Sequence, residues 1–486
     1  MINNLRGGKF IARGSYGCVY KDPSLKCVGQ ERSHVNVSKL MKRQDAIDEM
    51  KEYDIIDRID NNFLYHYSKP KFCNSPAKPN VSNDRMFSDC SIYKHDRQGN
   101  NNLKDLVILE QEDGGLSLLD MLDEFDYRMI NLKSTKSNAE IMKMREIEFI
   151  TLFYSMENLF IGLVEMNDSN YSHRDIKNQN IVARPLGDKY DVRYIDWGRG
   201  KTHNSWTNFE DNFYFVNPPE MFVYSDYIIE FIVKSYRHGY SKDKIMTYVA
   251  KALIRSYDKS YASTVVSENM ADNLSSIENP YTSINIEEHV NFILNAKKNN
   301  GKKRVKDIKI KSDVFGLGIN ILMIWSGFLG FVFMPYVYED DKFCSRTNDY
   351  PNILKEINKL IQRMCISGQK DRYLPSEAYE HFNTIKEMIL SEEKFRNLSE
   401  DSGIIQQEVG SPEMICVELK KTVNPKCGEQ SHCIWVKGEG CKNRIDNQSP
   451  DEIKCPKGKV FNPLTGKCIK TNGARAKQLR KEGIIK

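Results

Sequence analysis

The sequence predicts an α+β chain: a small strand-rich region over residues 1–112, a larger mainly helical region over 113–390, and a cysteine-rich tail over 413–486. Three observations carry this. Short β-like runs separated by turns fill the first hundred residues, as in "KFIARG", "CVYKD", "VNVSKLM" and "DLVILEQE". After "EDGGLSLLDMLDEF" the apolar positions switch to a 3.6-residue period, clearest in "EIEFITLFYSMENLFIGLVEMN". From 391 to 412 the chain turns polar and rich in Ser, Glu and Gln, which predicts a linker.

Within the strand-rich region, "RQDAIDEMKEYDIIDRID" spaces Ile47, Met50, Ile55, Ile56 and Ile59 roughly as a helix would. In "ARGSYGCVYK", Gly14 and Gly17 permit a tight turn that aims backbone N–H groups at an anion, although a plain hairpin fits the same residues. Strand alternation in "VNVSKLM" puts Lys39 on the face of Val37. A lysine there is either a surface residue or one whose buried charge needs a carboxylate or phosphate partner. Residues 225–310 are less regular and end in the basic run "AKKNNGKKRVKDIKIK", expected to be a helical elaboration with solvated charges. The stretch Val314 to Tyr338 carries no charged residue and is long enough to cross a bilayer.

The 486 residues carry a net charge of only +5. Its distribution is uneven: residues 413–486 hold 16 Lys and Arg against 8 Asp and Glu, so the tail is at +8 and the rest at −3. Composition is that of a globular protein with neither low-complexity blocks nor 20- to 50-residue repeats, which excludes collagen-like, disordered and solenoid classes. Cys18, Cys27, Cys73, Cys90, Cys344 and Cys365 are scattered, as expected of reduced thiols in an intracellular protein. The opening "MINNLRGGKFIARG" lacks the apolar run of a secretory signal, which also favours the cytosol.

Polar groups crowd the middle of "YSHRDIKNQNIVA" (171–183), where a buried strand or helix would carry apolar ones. The stretch matches H-R-D-x-x-x-x-N with its spacing intact, and "YIDWG" with Asp196 follows it. From Lys9 to Leu390 the chain thus resembles the eukaryotic-type protein kinases, a bilobal fold. Further marks are "NPPE" (217–220), which resembles the A-P-E element, "KSDVFGLG", which resembles the start of the family's central buried helix, and "DRYLPSEAYEHF" with Arg372. The resemblance implies a buried Glu220–Arg372 ion pair. It also makes the apolar stretch after Asp313 the family's central buried helix, broken by Gly316, Gly318, Gly327, Gly330 and Pro335 into a helix and a loop, not a membrane span.

The resemblance implies ATP and Mg²⁺ as cosubstrate and cofactor, with the following roles. Ala12, Gly14, Ser15, Tyr16 and Gly17 form the phosphate loop. Lys39 binds the α- and β-phosphates, and Glu52, preferred to Glu49, orients it. Val19 and Val37 cover the adenine, Leu109 is the gatekeeper, and the backbones of Glu110 and Glu112 serve the hinge. Asp175 takes or orients the proton of the acceptor hydroxyl, and Lys177 neutralises the γ-phosphate in the serine/threonine pattern. Asn180 and Asp196 hold the metal through hard oxygen ligands.

The chain departs from the family at several places. Ala12 stands for the first glycine, DWG for DFG, and Phe213 for the threonine that braces Asp175 and Lys177. Residues 225–310 form an insertion. Thr202, Ser205 and Thr207 lie in a short activation segment, where Arg174 is placed to bind a phosphate.

In the tail, Cys416, Cys427, Cys433 and Cys441 with His432 lack the paired C-x₂-C spacing of zinc sites, which disfavours a metal. "CPKGKVFNPLTGKCIK" (455–470) resembles a short two-cysteine adaptor module of large DNA viruses. That resemblance implies a viral serine/threonine kinase, located in the host cytoplasm or the virion, whose tail attaches it to virion or host proteins. No stable nucleic-acid partner and no membrane span are expected. The rival readings are a pseudokinase scaffold and a small-molecule or lipid kinase on the same core.

Overall fold

The computed structural model describes residues 9–13, 17–21, 24–25, 27–28, 36–74, 76, 90–94, 102–204, 217–265, 286–295, 298–329, 349–365 and 371–398, and four short strands between 433 and 470. The chain divides into two compact units, Met1–Ser399 and Glu400–Lys486. The first is a mixed α+β structure with antiparallel sheets. Its boundary falls inside the expected linker, but later than residue 390, because a 3₁₀ segment (Glu393–Leu398) buries Phe395 and Leu398.

The first sheet contains β1 (Lys9–Arg13), β2 (Gly17–Lys21), β3 (Asn36–Lys42), β4 (Lys71–Cys73) and β5 (Leu106–Glu112) in the order β1-β2-β3-β5-β4. Its register sets Val19 opposite Lys39 and Lys39 opposite Leu109. Directly opposed residues share a face, so Val19, Val37, Lys39 and Leu109 all lie on one side of this sheet. Gly17 is required by packing, since a Cβ there would lie 2.6 Å from the Leu40 carbonyl oxygen.

Between β3 and β4 runs α1 (Arg43–Ile59), with Asp45 in its first turn and Arg58 in its last, both complementary to the helix dipole. Its buried stripe is Ala46, Glu49, Tyr53 and Ile56, so a carboxylate lies on the apolar face. Of the residues spaced at helical period in the sequence, only Ile56 is on that stripe, and Ile47 is exposed.

Two disulfides, Cys18–Cys90 and Cys27–Cys73, tie this region together. This corrects the expectation of reduced thiols at these four positions: the fold brings Cys18 on β2 to Cys90 and Cys73 on β4 to Cys27 with Cα atoms 5.8 and 6.1 Å apart, within bonding range. Cys365 is free and buried, and burial pushes its thiol up to about 12. Cys344 lies outside the described residues.

Beyond β5 come β6 (Leu116–Ser117), α2 (Leu118–Leu132), α3 (Asn138–Tyr154), α4 (Glu157–Asp168), β7 (Tyr171–Ser172), β8 (Ile181–Leu186), β9 (Lys189–Tyr194) and β10 (Lys201–Thr202). A capping box of Ser137 and Glu140 starts α3. Helices follow: α5 (Pro219–Val223), α6 (Asp226–Arg237), α7 (Lys242–Val265), α8 (Ile286–Asn295), α9 (Lys298–Leu329), α10 (Pro351–Cys365) and α11 (Pro375–Ser391).

The described part of the 225–310 insertion is therefore helical. Its basic end is the first part of α9, which runs unbroken through Gly316, Gly318 and Gly327 to Leu329. Those three glycines do not interrupt it, because the helix is packed along the interior; Gly330 and Pro335 lie outside the described residues. It lies between α3 and α10, with Trp325 5.2 Å from Phe149 and Phe328 4.5 Å from Phe125. Residues 305–329 are long and apolar enough to cross a membrane, and most of that span is buried inside the unit.

In the second unit, β11 (Cys433–Val436) pairs with β12 (Gly440–Asn443), and β13 (Lys459–Asn462) with β14 (Lys467–Lys470). Both are antiparallel hairpins. The second sets Phe461 opposite Cys468, a compact loop within residues 455–470. Cys416, Cys427, His432 and Cys455 lie outside the described residues.

Candidate active site

Lys39 on β3 donates to Glu49 Oε2 at 2.7 Å and to Asp196 Oδ1 at 2.9 Å. Burial alone pushes the ammonium pKa down, but the two carboxylates outweigh it and hold Lys39 above its usual range. Burial raises Glu49, against the pull of Lys39. Burial also acts to raise Asp196, yet Lys39 above all, and Lys177 after it, bring it below the ordinary carboxylate value.

The partner of Lys39 is thus Glu49 and not Glu52, which corrects the sequence expectation. The two acids are three residues apart on α1, but only Glu49 lies on the buried stripe. Glu52 accepts instead from the Tyr171 hydroxyl at 3.0 Å. A carboxylate among buried helix positions was the available signal for Glu49.

The segment after β7 is held by its backbone. Asp313, at the middle of α9, accepts from the His173 and Arg174 amides at 2.7 and 3.0 Å. Arg174 and Asp196 adopt left-handed φ of 67° and 65°, conformations that cost about 1 kcal/mol or more for non-glycine residues and are kept only where surroundings enforce them. Burial lowers the pKa of His173 and keeps it neutral. Its Nε2 donates to the Ile195 carbonyl at 3.1 Å, which leaves Nδ1 to accept from the Asp175 amide at 3.3 Å. Sequence reasoning gave Asp313 no role beyond opening the helix.

Asp175 is nearly buried, and Oδ2 accepts from Lys177 Nζ and Asn180 Nδ2, both at 2.9 Å. Its Oδ1 is buried without a hydrogen-bond partner. An ionised carboxylate oxygen left so is costly unless something donates to it, and an acceptor hydroxyl is a group of the right kind. Asn180 also commits Nδ2 to the Asp175 carbonyl at 2.9 Å, which leaves Oδ1 as its oxygen for a cation. The Asn180 carbonyl accepts from the Ile195 amide at 2.9 Å, so Asp196 is tied beside it. Among the described residues no group of three or more His, Cys, Asp or Glu is arranged to hold a metal ion by itself. Two oxygen ligands suit Mg²⁺, which keeps several waters and takes further oxygens from phosphates.

Trp197, fully buried, lies 4.5 Å from the His173 ring and 5.9 Å from His66. The turn it opens, Trp197–Arg199, packs against α1.

Of the residues expected to meet a nucleotide, Val19, Val37, Lys39 and Leu109 share one sheet face, while the Glu110 side chain turns to the other face to accept from Asn36 at 3.1 Å. Glu112 pairs with Arg184 at 2.7 Å. The expected hinge role of the Glu110 backbone meets an obstacle, because Glu110 lies inside the sheet, opposite Ser38 on β3 and Lys71 on β4, while Glu112 at the end of β5 is opposite Asn36. Ala12 lies in β1 opposite Val19. Gly14, Ser15, Tyr16, Ser205, Thr207 and Phe213 lie outside the described residues.

The predicted Glu220–Arg372 pair is formed, with both side chains fully buried. No protein-family model matches the chain, and no curated protein matches its sequence.

Proposed function

We propose that the chain is an ATP- and Mg²⁺-dependent protein kinase of bilobal fold, transferring the γ-phosphate to serine or threonine hydroxyls. The observation that carries this reading is the adjacency of two constellations: Lys39–Glu49–Asp196 and Asp175–Lys177–Asn180. Phosphoryl transfer asks little covalent chemistry of a protein and much positioning and charge neutralisation, which these groups supply.

Lys39 binds the α- and β-phosphates, held in place by Glu49. Bound Mg²⁺, held by Asp196 and Asn180 Oδ1, supplies charge neutralisation at the phosphates. Asp175 Oδ1 receives the acceptor hydroxyl and its proton. Lys177, already beside Asp175, meets the negative charge that builds on the transferring group. The hairpin at 459–470 and the basic tail around it are read as the attachment module of a viral kinase, joining a virion or host protein.

The test is incubation of wild type and Asp196→Ala with labelled ATP, Mg²⁺ and generic protein substrates, followed by identification of the modified residues. Label on Ser and Thr with wild type only is the expected result. Equal labelling by both proteins, or none by either, refutes it.

A further inference from the structure

Glu52, displaced from the role the sequence suggested for it, has a different one. It is half-buried on α1, next to the stripe that carries Glu49, and its carboxylate accepts from Tyr171 Oη. Tyr171 is 1% exposed and lies on β7, immediately before His173–Arg174–Asp175. In the β7–β10 ladder Tyr171 is opposite Thr202 and Ser172 opposite Lys201. The Tyr171 ring lies 6.3 Å from Trp197, and a Cβ on Gly200 would collide with its hydroxyl. One phenol therefore touches the turn after Asp196, belongs to the strand leading into the Asp175 loop, and hydrogen-bonds to α1.

We propose that Glu52 and Tyr171 are a pair of positioning residues that fasten α1 to the catalytic segment, so that Glu49 stays within reach of Lys39. This rests on the kinase reading for its functional consequence and deepens it by naming what holds that site in register. Neither residue touches nucleotide or acceptor; both act through the Lys39–Glu49 pair. The geometry explains why the tether works at this position. Glu49 and Glu52 are almost one turn apart on α1, so fixing Glu52 to β7 fixes the rotation of the helix about its axis and with it the direction of Glu49. Burial raises the Glu52 carboxyl above its ordinary value, against the hydrogen bond from Tyr171 and the charges of Lys201 and Arg174.

The experiment uses the full chain and five proteins: wild type, Tyr171→Phe, Glu52→Ala, Glu52→Gln and the Tyr171→Phe/Glu52→Ala double variant. Amide exchange over residues 43–59, melting temperature, kcat and KM for ATP are measured for each. Loss of a hydrogen bond to a charged group predicts about tenfold faster α1 exchange in Tyr171→Phe and Glu52→Ala. It predicts a fall in kcat with the melting temperature nearly unchanged, and a double variant no worse than either single one. Glu52→Gln keeps an acceptor oxygen and should recover most of both properties. Unchanged α1 exchange in Tyr171→Phe, additive effects in the double variant, or Glu52→Gln as impaired as Glu52→Ala would each overturn the tether. Exchange reports on α1 whether or not phosphate is transferred. An inactive wild type with slow, Tyr171-dependent exchange would therefore refute the kinase reading and leave the tether standing.

Discussion

Arg372 Nη2 donates to both carboxylate oxygens of Glu220, at 2.9 and 3.2 Å, with neither side chain exposed to solvent. The guanidinium also lies 5.0 Å from the centre of the Phe315 ring on α9. The pair joins α5 to the start of α11 across 152 residues of sequence. Its partners were taken out of water together, so removing one leaves an uncompensated buried charge. Arg372→Ala is expected to destabilise the chain by about 3–5 kcal/mol, while replacing both residues with apolar ones of similar volume should cost much less. Urea unfolding of the single and double variants checks this, and equal losses would contradict it.

Glu49 and Glu52 separate on function. Removing the charge of Glu49 leaves Lys39 with only Asp196, so Glu49→Gln should lower kcat/KM for ATP by about 10²-fold, the scale of losing one preorganised electrostatic contact. Glu52→Gln, which keeps its acceptor, should lie within a few-fold of wild type. Steady-state kinetics on the two proteins decides, and the reverse order would restore Glu52 as the partner of Lys39.

Much of this site was legible because its spacing is fixed by local backbone. Residues 173–180 form one short loop, and the distance from Asp175 to Lys177 or Asn180 owes little to the rest of the chain. Strand alternation put Lys39 on the face of Val37, whereas the opposition of Lys39 to Leu109 is a matter of sheet register that a single strand does not disclose. The choice between Glu49 and Glu52 was not legible, because two acids three apart on a helix have similar local patterns and only the packed face distinguishes them. Asp313 was invisible as a brace for the same reason: it meets the His173 amide across 140 residues. The disulfides were not legible because the spacing of scattered cysteines says nothing of which distant segments the fold sets side by side.

His66 should make stability depend on pH. Its imidazole is fully buried, with Nδ1 and Nε2 each 2.8 Å from Asp60 and Asp57. Burial lowers its pKa, but the hydrogen bonds and charges of the two aspartates prevail and raise it above the ordinary 6.5. A raised folded value means the folded state binds the proton more tightly than the unfolded chain. The stabilisation is fully present below the unfolded pKa and is lost as pH rises through the folded one. Wild type should therefore lose stability relative to His66→Gln between mildly acidic and alkaline pH, as read by melting temperature across that range. A pH-independent difference between the two proteins would rule this out.

Reduction should weaken the first sheet. Cys18 follows Gly17 on β2, and its bond to Cys90 spans 72 residues; the Cys27–Cys73 bond spans 46 and is nested within it. Both Cys18 and Cys90 are buried, so the cross-link lies inside the core that includes Tyr20, Leu40, Leu106 and Ile108. Closing loops of this size restricts the unfolded chain and is worth about 2–4 kcal/mol per bond, with the nested bond contributing less once the outer one is closed. Cys18→Ala/Cys90→Ala should thus melt several degrees below wild type under oxidising conditions and respond less to a reductant. Cys365, buried with its thiol pushed up to about 12, should contribute nothing to this response. Identical melting of wild type with and without reductant, once thiol counting shows the bonds opened, would mean that packing alone sets the stability of this sheet.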